Sequence, residues 1–291
     1  MPFTGSIPAL VTPFHEGQVD LAAIAGLVEW HIAEGSDALA VCATTGESPT
    51  LSLAERRDIL VTAVKVARGR LPIIAGANSN STRDAIALVA QAREAGVDGV
   101  LHATGFYNKP TQAQLIGHFA ALDQACELPV LLYNIPSRTG IELSVDTVAT
   151  LSALPSVVGI KDTTGQLSRL SLERQRITKP FAFLSGDDSS ALGYIAHGGQ
   201  GSISVTANLV PRRYAQFIHA ATRGDFATAR TLHDALCSLH AALFVEPSPG
   251  GIKYAMSRLG LCRNELRLPM TPVTEAACEV IDTAMQRLGL M

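Results

Sequence analysis

Hydrophobic and polar positions along this chain fall into two rhythms that alternate. Short apolar runs, rich in β-branched residues, occur at Ser6–Phe14, Ala38–Ala43, Pro72–Ala77, Gly99–Thr104, Pro129–Ile135, Val157–Asp162, Phe181–Gly186 and Gly201–Thr206. Runs of this length and make-up read as strands. Between them lie amphipathic stretches of helical period, such as Leu53–Arg68, Ser81–Ala95 and Gln112–Cys126. Ser52 followed three residues later by Glu55 is a capping-box signature, and Gly69 is a stop just past the same helix. Near-continuous apolar strands belong to a parallel sheet covered on its outer face. Eight of them in strict alternation with helices predict an α/β fold of the closed (β/α)8 (TIM) barrel type. An open doubly wound sheet is the alternative, but no Gly-x-Gly-x-x-Gly follows the first strand.

The rhythm changes after Gly224. Asp225–His240, Gly251–Leu259 and Thr271–Leu288 read as helices with no strand between them. Two units are therefore expected: a barrel over residues 1–224 and a helical C-terminal extension over 225–291, joined at Arg223-Gly224-Asp225 without a flexible linker.

Composition narrows the function classes. Only 17% of the 291 residues are charged and 47% are apolar, against roughly 25% charged in an average globular protein. A net charge of −3 carries no electrostatic footprint for nucleic acid. No apolar run reaches the roughly 18 residues of a membrane span. No Lys or Arg precedes Arg56, so neither a secretory n-region nor an arginine-rich transit peptide is expected. The five cysteines are odd in number, widely spaced and free of any C-x-x-C pair, which suits free thiols in a cytoplasm. The histidines form no H-E-x-x-H, and nothing calls for a metal or a cofactor.

Active sites of barrels lie at the C-terminal ends of the strands. Lys161 closes the sixth strand, where an amine among valine and isoleucine side chains suits carbonyl substrates. A lysine snorkelling to water is the plainer reading. Tyr133 ends the strand beside it and could move protons, or simply pack. Thr44 and Thr45 offer donors to a carboxylate, or form a turn before Pro49. Arg138 suits bidentate grip of a carboxylate, or lies free on the surface. Gly198-Gly199-Gln200-Gly201 reads as a tight turn into the eighth strand more than as a phosphate cradle. Asp187 and Asp188, being adjacent, point to opposite faces of a strand and read as helix caps.

These pieces occur in an order that resembles the dihydrodipicolinate synthase / N-acetylneuraminate lyase family of class I pyruvate aldolases. The likeness runs from Gly5 to Leu290. It includes Gly5-Ser6-Ile7, Val11-Thr12-Pro13, Thr44-Thr45-Gly46-Glu47, Tyr133-Asn134 with Pro136, Gly159-Ile160-Lys161-Asp162 and Ser185-Gly186-Asp187-Asp188. Phe244-Val245-Glu246-Pro247 and Leu268-Pro269-Met270-Thr271-Pro272 extend it to the C-terminal helices. The resemblance implies a metal-free Schiff-base enzyme in which Lys161 attacks the keto carbon of pyruvate. It implies a proton relay of Tyr133, Thr44 and Tyr107, the last reaching in from a neighbouring subunit of a homodimer or tetramer. Thr45 would hold the pyruvate carboxylate, and Gly186 and Ile203 would line the site through their backbones.

The intact Ser137-Arg138-Thr139-Gly140 favours the synthase branch, in which Arg138 grips the carboxylate of L-aspartate 4-semialdehyde on the way to diaminopimelate and lysine. The alternatives are an aldolase or dehydratase of the same scaffold acting on sialic or sugar acids, and a non-catalytic binding paralogue. The sequence departs from the family at Ala43, Phe106, Ser248 and Gly250-Gly251. It also departs at the family's lysine-feedback positions, which here are Leu53, Arg56, Asn80, Asp84 and Phe106. An arginine there repels a lysine ammonium, so weak or absent lysine inhibition is expected. Strong inhibition by submillimolar lysine in a steady-state assay would refute it.

Overall fold

The computed structural model describes residues 3–103 and 105–291. The strands are β1 (Gly5–Pro8), β2 (Phe14–His15), β3 (Gln18–Val19), β4 (Leu39–Val41), β5 (Ile73–Gly76), β6 (Gly99–Ala103), β7 (Val130–Asn134), β8 (Val157–Asp162), β9 (Ala182–Ser185) and β10 (Gly201–Ser204). The helices within the barrel are α1 (Leu21–Ala33), α2 (Leu53–Ala67), α3 (Thr82–Glu94), α4 (Gln112–Ala125), α5 (Pro136–Thr139), α6 (Val145–Ser152), α7 (Leu167–Arg176), α8 (Ala191–Ala196) and α9 (Pro211–Thr222). Three more follow: α10 (Phe226–Ala242), α11 (Gly250–Arg258) and α12 (Glu275–Arg287).

Eight of the strands form one parallel sheet in the order β1-β10-β9-β8-β7-β6-β5-β4. Its two ends meet at a single parallel bridge, Ala9 to Ala40, where the Leu10 amide donates to the Ala40 carbonyl at 2.8 Å. The result is the expected (β/α)8 barrel. Period-2 alternation sorts its side chains. Ile7, Ile74, Leu101, Leu131, Tyr133, Leu184 and Ile203 fill the interior, while Val100, Val130, Leu132 and Ile160 face the helices. The capping box at the start of α2 is present, with Ser52 Oγ accepting from Glu55 N and the Glu55 carboxylate accepting from Ser52 N.

Of the predicted strands that lie wholly within the described residues, only Val157–Asp162 keeps its full run. The others are shorter, and the first and last have clear causes. The first run, Ser6–Phe14, pairs only through Pro8 and the bridge at Ala9. Beyond it the backbone is held by the Asn208 side chain, which accepts from Val11 N at 3.1 Å and donates to Ala9 O at 2.8 Å. Phe14–His15 then turns back on Gln18–Val19 as a small hairpin. Glu16 and Gly17 both take positive φ (52° and 76°), as a primed two-residue turn requires. The last predicted strand stops at Ser204, because Thr206–Asn208 winds into a 3-10 turn. The end of the fourth predicted strand, Thr104, lies outside the described residues. No helix among the described residues is long and apolar enough to cross a membrane. All five cysteines are free.

Candidate active site

Lys161 is the fifth residue of β8 and Tyr133 the fourth of β7, and the register sets them side by side. Because Ile160 faces the helices, Lys161 turns inward, at the C-terminal mouth of the barrel. It is only 5% exposed, and its Nζ lies 4.3 Å from the centre of the Tyr133 ring. A cavity of about 290 Å³ and a second of about 230 Å³ open at this mouth. The smaller contains Lys161, Tyr133, Thr44, Thr45, Arg138 and Gly186 together, with Ile135, Ser137, Thr163, Asp187, Val205, Phe244 and Ser248.

Local structure explains each placement. Thr44 and Thr45 sit on a tight turn in which Gly46 N–H donates to Ala43 O and Glu47 N–H to Thr44 O, both at 3.1 Å. Thr12 Oγ1 braces that turn by donating to Gly46 O at 2.7 Å. Arg138 rides on the short α5, which Pro136 starts, and its Nη2 donates to the Ser248 carbonyl at 3.3 Å. Gly186 has no tolerance for a side chain: a Cβ there would stand 2.4 Å from Thr163 Cγ2 and 2.7 Å from Lys161 Cε. Its missing side chain is the slot through which the lysine stem passes.

Two predicted site residues are not in this cavity. Ile203 packs in the barrel interior, and the chain enters the lining of the cavity two residues later, at Val205, just past the end of β10. Tyr107 is 89% exposed, at φ 68° in a loop where Lys109 also has positive φ. The larger, mostly apolar cavity lies against the same wall, sharing Thr44, Ile135 and Arg138, and Phe106 lines it. Asp187 and Asp188, expected as helix caps, are not the N-caps of α8 or of the Thr206–Asn208 turn. Those elements begin at Ser190 and Val205, without a side-chain cap bond. Both aspartates instead accept hydrogen bonds that tie the loop together. Asp187 accepts from Ser190 N and Oγ, and Asp188 from Val205 N, Thr206 N and Tyr214 Oη. Of the expected feedback positions, Leu53 is exposed and Asp84 pairs with Arg83, whereas Arg56 is buried with no partner for Nε or Nη2.

Phe244, Ser248 and Thr163 enter the cavity without having been singled out as site residues. Phe244 and Ser248 arrive from the segment between α10 and α11. The family likeness touches that segment at Phe244–Pro247 and departs at Ser248, but neither residue carries reactive chemistry of its own that would point to a site. Thr163 had a signal, lying two residues after Lys161; its Oγ1 donates to Asn134 O at 2.9 Å.

Behind Lys161 and Tyr133, the next residues of the two strands face the helices and bond to each other. Asn134 Nδ2 donates to Asp162 Oδ1 at 2.8 Å. Arg169 follows, buried, 2.7 Å from Glu173 and paired with Glu142. Burial pushes the Glu173 carboxyl up to about 7, against the pull of Arg169. A carboxyl protonated in the fold but ionised in the unfolded chain costs stability as pH rises from about 4.5 to about 7. Glu173→Gln is therefore expected to melt higher than the parent at pH 8.5, by up to about 3 kcal/mol of stability, and equally at pH 4.5. A melting difference that does not change with pH would contradict this.

The comparisons with known proteins follow the same geometry. The model of the Dihydrodipicolinate synthetase family matches residues 2–288. The 4-hydroxy-tetrahydrodipicolinate synthase of Rhizobium meliloti is 51% identical over 290 residues, covering 99% of both chains. The crystal structure of dihydrodipicolinate synthase from Aquifex aeolicus superposes with a TM-score of 0.97 at 43% identity, covering 99% of both chains. The chloride-inhibited dihydrodipicolinate synthase from Acinetobacter baumannii, complexed with pyruvate, does so with a TM-score of 0.97 at 41% identity, again over 99% of each chain. With a barrel that superposes along its whole length and half its residues shared with a curated relative, the chain belongs to the dihydrodipicolinate synthetase family.

Proposed function

We propose that this protein is a lyase that condenses pyruvate with L-aspartate 4-semialdehyde to form 4-hydroxy-tetrahydrodipicolinate, the entry to diaminopimelate and lysine synthesis. The observation that carries the reading is the buried Lys161 amine beside the Tyr133 ring, in a cavity that also holds Thr44, Thr45 and Arg138. The naming of the close relatives and the pyruvate bound in the Acinetobacter baumannii enzyme support the substrates.

Lys161 Nζ adds to the keto carbon of pyruvate, and loss of water leaves an iminium ion. The iminium draws electrons from the methyl group, which gives up a proton and becomes the nucleophilic enamine carbon. That carbon attacks the aldehyde, and the amine of the second substrate then displaces Lys161 as the ring closes. Tyr133 moves protons between the amine and the carbinol oxygen, with Thr44 next in the relay. Thr45 receives the pyruvate carboxylate, and the backbones of Gly186 and Ile203 shape the remaining wall. Tyr107 completes the relay in a second copy of the chain. Its exposure and the apolar cavity on the far side of Thr44 support this homo-oligomeric arrangement. The free thiols suit a cytoplasmic enzyme.

Arg138 reads the second substrate. Its guanidinium is oriented by the Ser248 carbonyl and keeps its other donors for a carboxylate. Arg138→Ala is expected to lower kcat/KM for L-aspartate 4-semialdehyde about 100-fold while leaving the rate of imine formation with pyruvate unchanged. Wild-type assays with L-aspartate 4-semialdehyde, N-acetylneuraminate and 2-keto-3-deoxy sugar acids test the substrate. Turnover of a sugar acid in preference to the semialdehyde would overturn the assignment.

A further inference from the structure

The chain buries a second lysine outside the reacting cavity. Lys253, in α11, is fully buried, and its Nζ lies 2.5 Å from Glu47 Oε1 and 2.7 Å from the Glu265 carbonyl. Glu47 is buried too, and its other oxygen accepts the Arg267 amide at 3.0 Å. Phe14 lies close to both cations, with Lys253 Nζ 4.1 Å and the Arg267 guanidinium carbon 4.5 Å from its ring centre. Arg267 reaches on to the Thr50 and Gly17 carbonyls and the Glu55 carboxylate.

Stability alone is a poor reason for this pair. A buried ion pair costs desolvation on both sides and is commonly no better than apolar packing of the same volume. Glu47 also sits at φ 53°, a left-handed conformation unfavourable to any residue with a Cβ. What the pair does geometrically is join two parts of the cavity wall. Glu47 is the last residue of the turn that presents Thr44 and Thr45. Lys253 lies five residues after Ser248, whose carbonyl orients Arg138. Its carboxylate partner is fixed from the C-terminal side, so the turn cannot relax without pulling on α11.

We infer that Glu47 and Lys253 are positioning residues, which hold the threonine turn and the Ser248 segment at fixed distances from Lys161. This rests on the imine reading above, in which Thr44 relays protons and Thr45 holds the pyruvate carboxylate. Small displacements of such groups cost on the order of 10–100-fold in rate.

The test compares Glu47→Gln, Lys253→Met and the double variant with the full-length wild type, by thermal melting, kcat, KM for pyruvate and borohydride trapping. Each single change leaves one buried charge unpaired and is expected to lower the melting temperature. The double change removes both charges and is expected to recover most of that loss. Its kcat is expected to stay down on the order of 10–100-fold with a raised KM for pyruvate, while the trapped adduct remains on Lys161. A double variant that regains both the melting temperature and wild-type kcat assigns the pair to stability and overturns the positioning role. So does a Glu47→Gln protein with unchanged kcat and KM, assayed well below its melting point, and so does failure of all three variants to fold. A wild-type protein that yields no adduct on Lys161 defeats the imine reading instead.

Discussion

Lys161→Met is expected to abolish the borohydride-trapped pyruvate adduct and to lower kcat by at least about 10⁴-fold, with no loss of melting temperature. The substitution keeps an unbranched stem in the slot left open by Gly186 and removes only the amine. Among the described residues no hydrogen bond constrains that amine; it rests over the Tyr133 ring at 4.3 Å. Replacing a buried polar group that lacks a hydrogen-bond partner by an apolar one of similar shape removes a desolvation cost. The chain has five lysines, at 65, 109, 161, 179 and 253, and besides Lys161 only Lys253 is buried. Lys253 is already committed to Glu47 and to the Glu265 carbonyl. Peptide mapping of the wild-type adduct is therefore expected to find one modified lysine. An adduct that survives in Lys161→Met, or turnover within tenfold of wild type, would defeat the mechanism.

Tyr133→Phe is the second large effect. The ring stays over Lys161 and only the hydroxyl is lost, so binding of pyruvate and the fold are expected to persist. Removing a group that transfers protons in the transition state costs about 10²–10⁴-fold. The loss is expected in kcat with little change in KM, the sign of an interaction made in the transition state alone. Trapping on Lys161 is expected to be slower but to reach the same end point. A kcat within a factor of about two of wild type would remove Tyr133 from the relay.

Much of this site was legible because a barrel converts sequence order into position. Once eight apolar runs are counted, each strand end marks a point on one rim, and Lys161, Tyr133 and the Thr44–Thr45 turn fall there without further information. Period-2 alternation even sends Lys161 and Tyr133 inward together, since Ile160 and Leu132 go out. What escaped is whatever depends on long-range contact. The run Ser6–Phe14 looks like one strand, yet its second half is taken over by the side chain of Asn208. Phe244 and Ser248 reach the cavity by the docking of the C-terminal helices, which no local pattern records. The Glu47–Lys253 pair spans 206 positions and joins two residues that each look like ordinary surface charges in sequence. Ile203 was expected to line the site through its backbone, and its side chain packs in the barrel interior.

The seam of the barrel has a consequence for how the chain is made. β1 has its long ladder with β10, while its other side touches β4 through a single bridge. The Asn208 side chain that holds the stretch after β1 lies 197 positions from the Val11 amide it accepts. A chain emerging from the ribosome therefore carries its first strand for most of its synthesis without the strand that completes it. The exposed edge of β1 is an open template for wrong pairing during that interval. Closure of the barrel, and with it the rim that holds Lys161, is a late event that waits for β10 to appear.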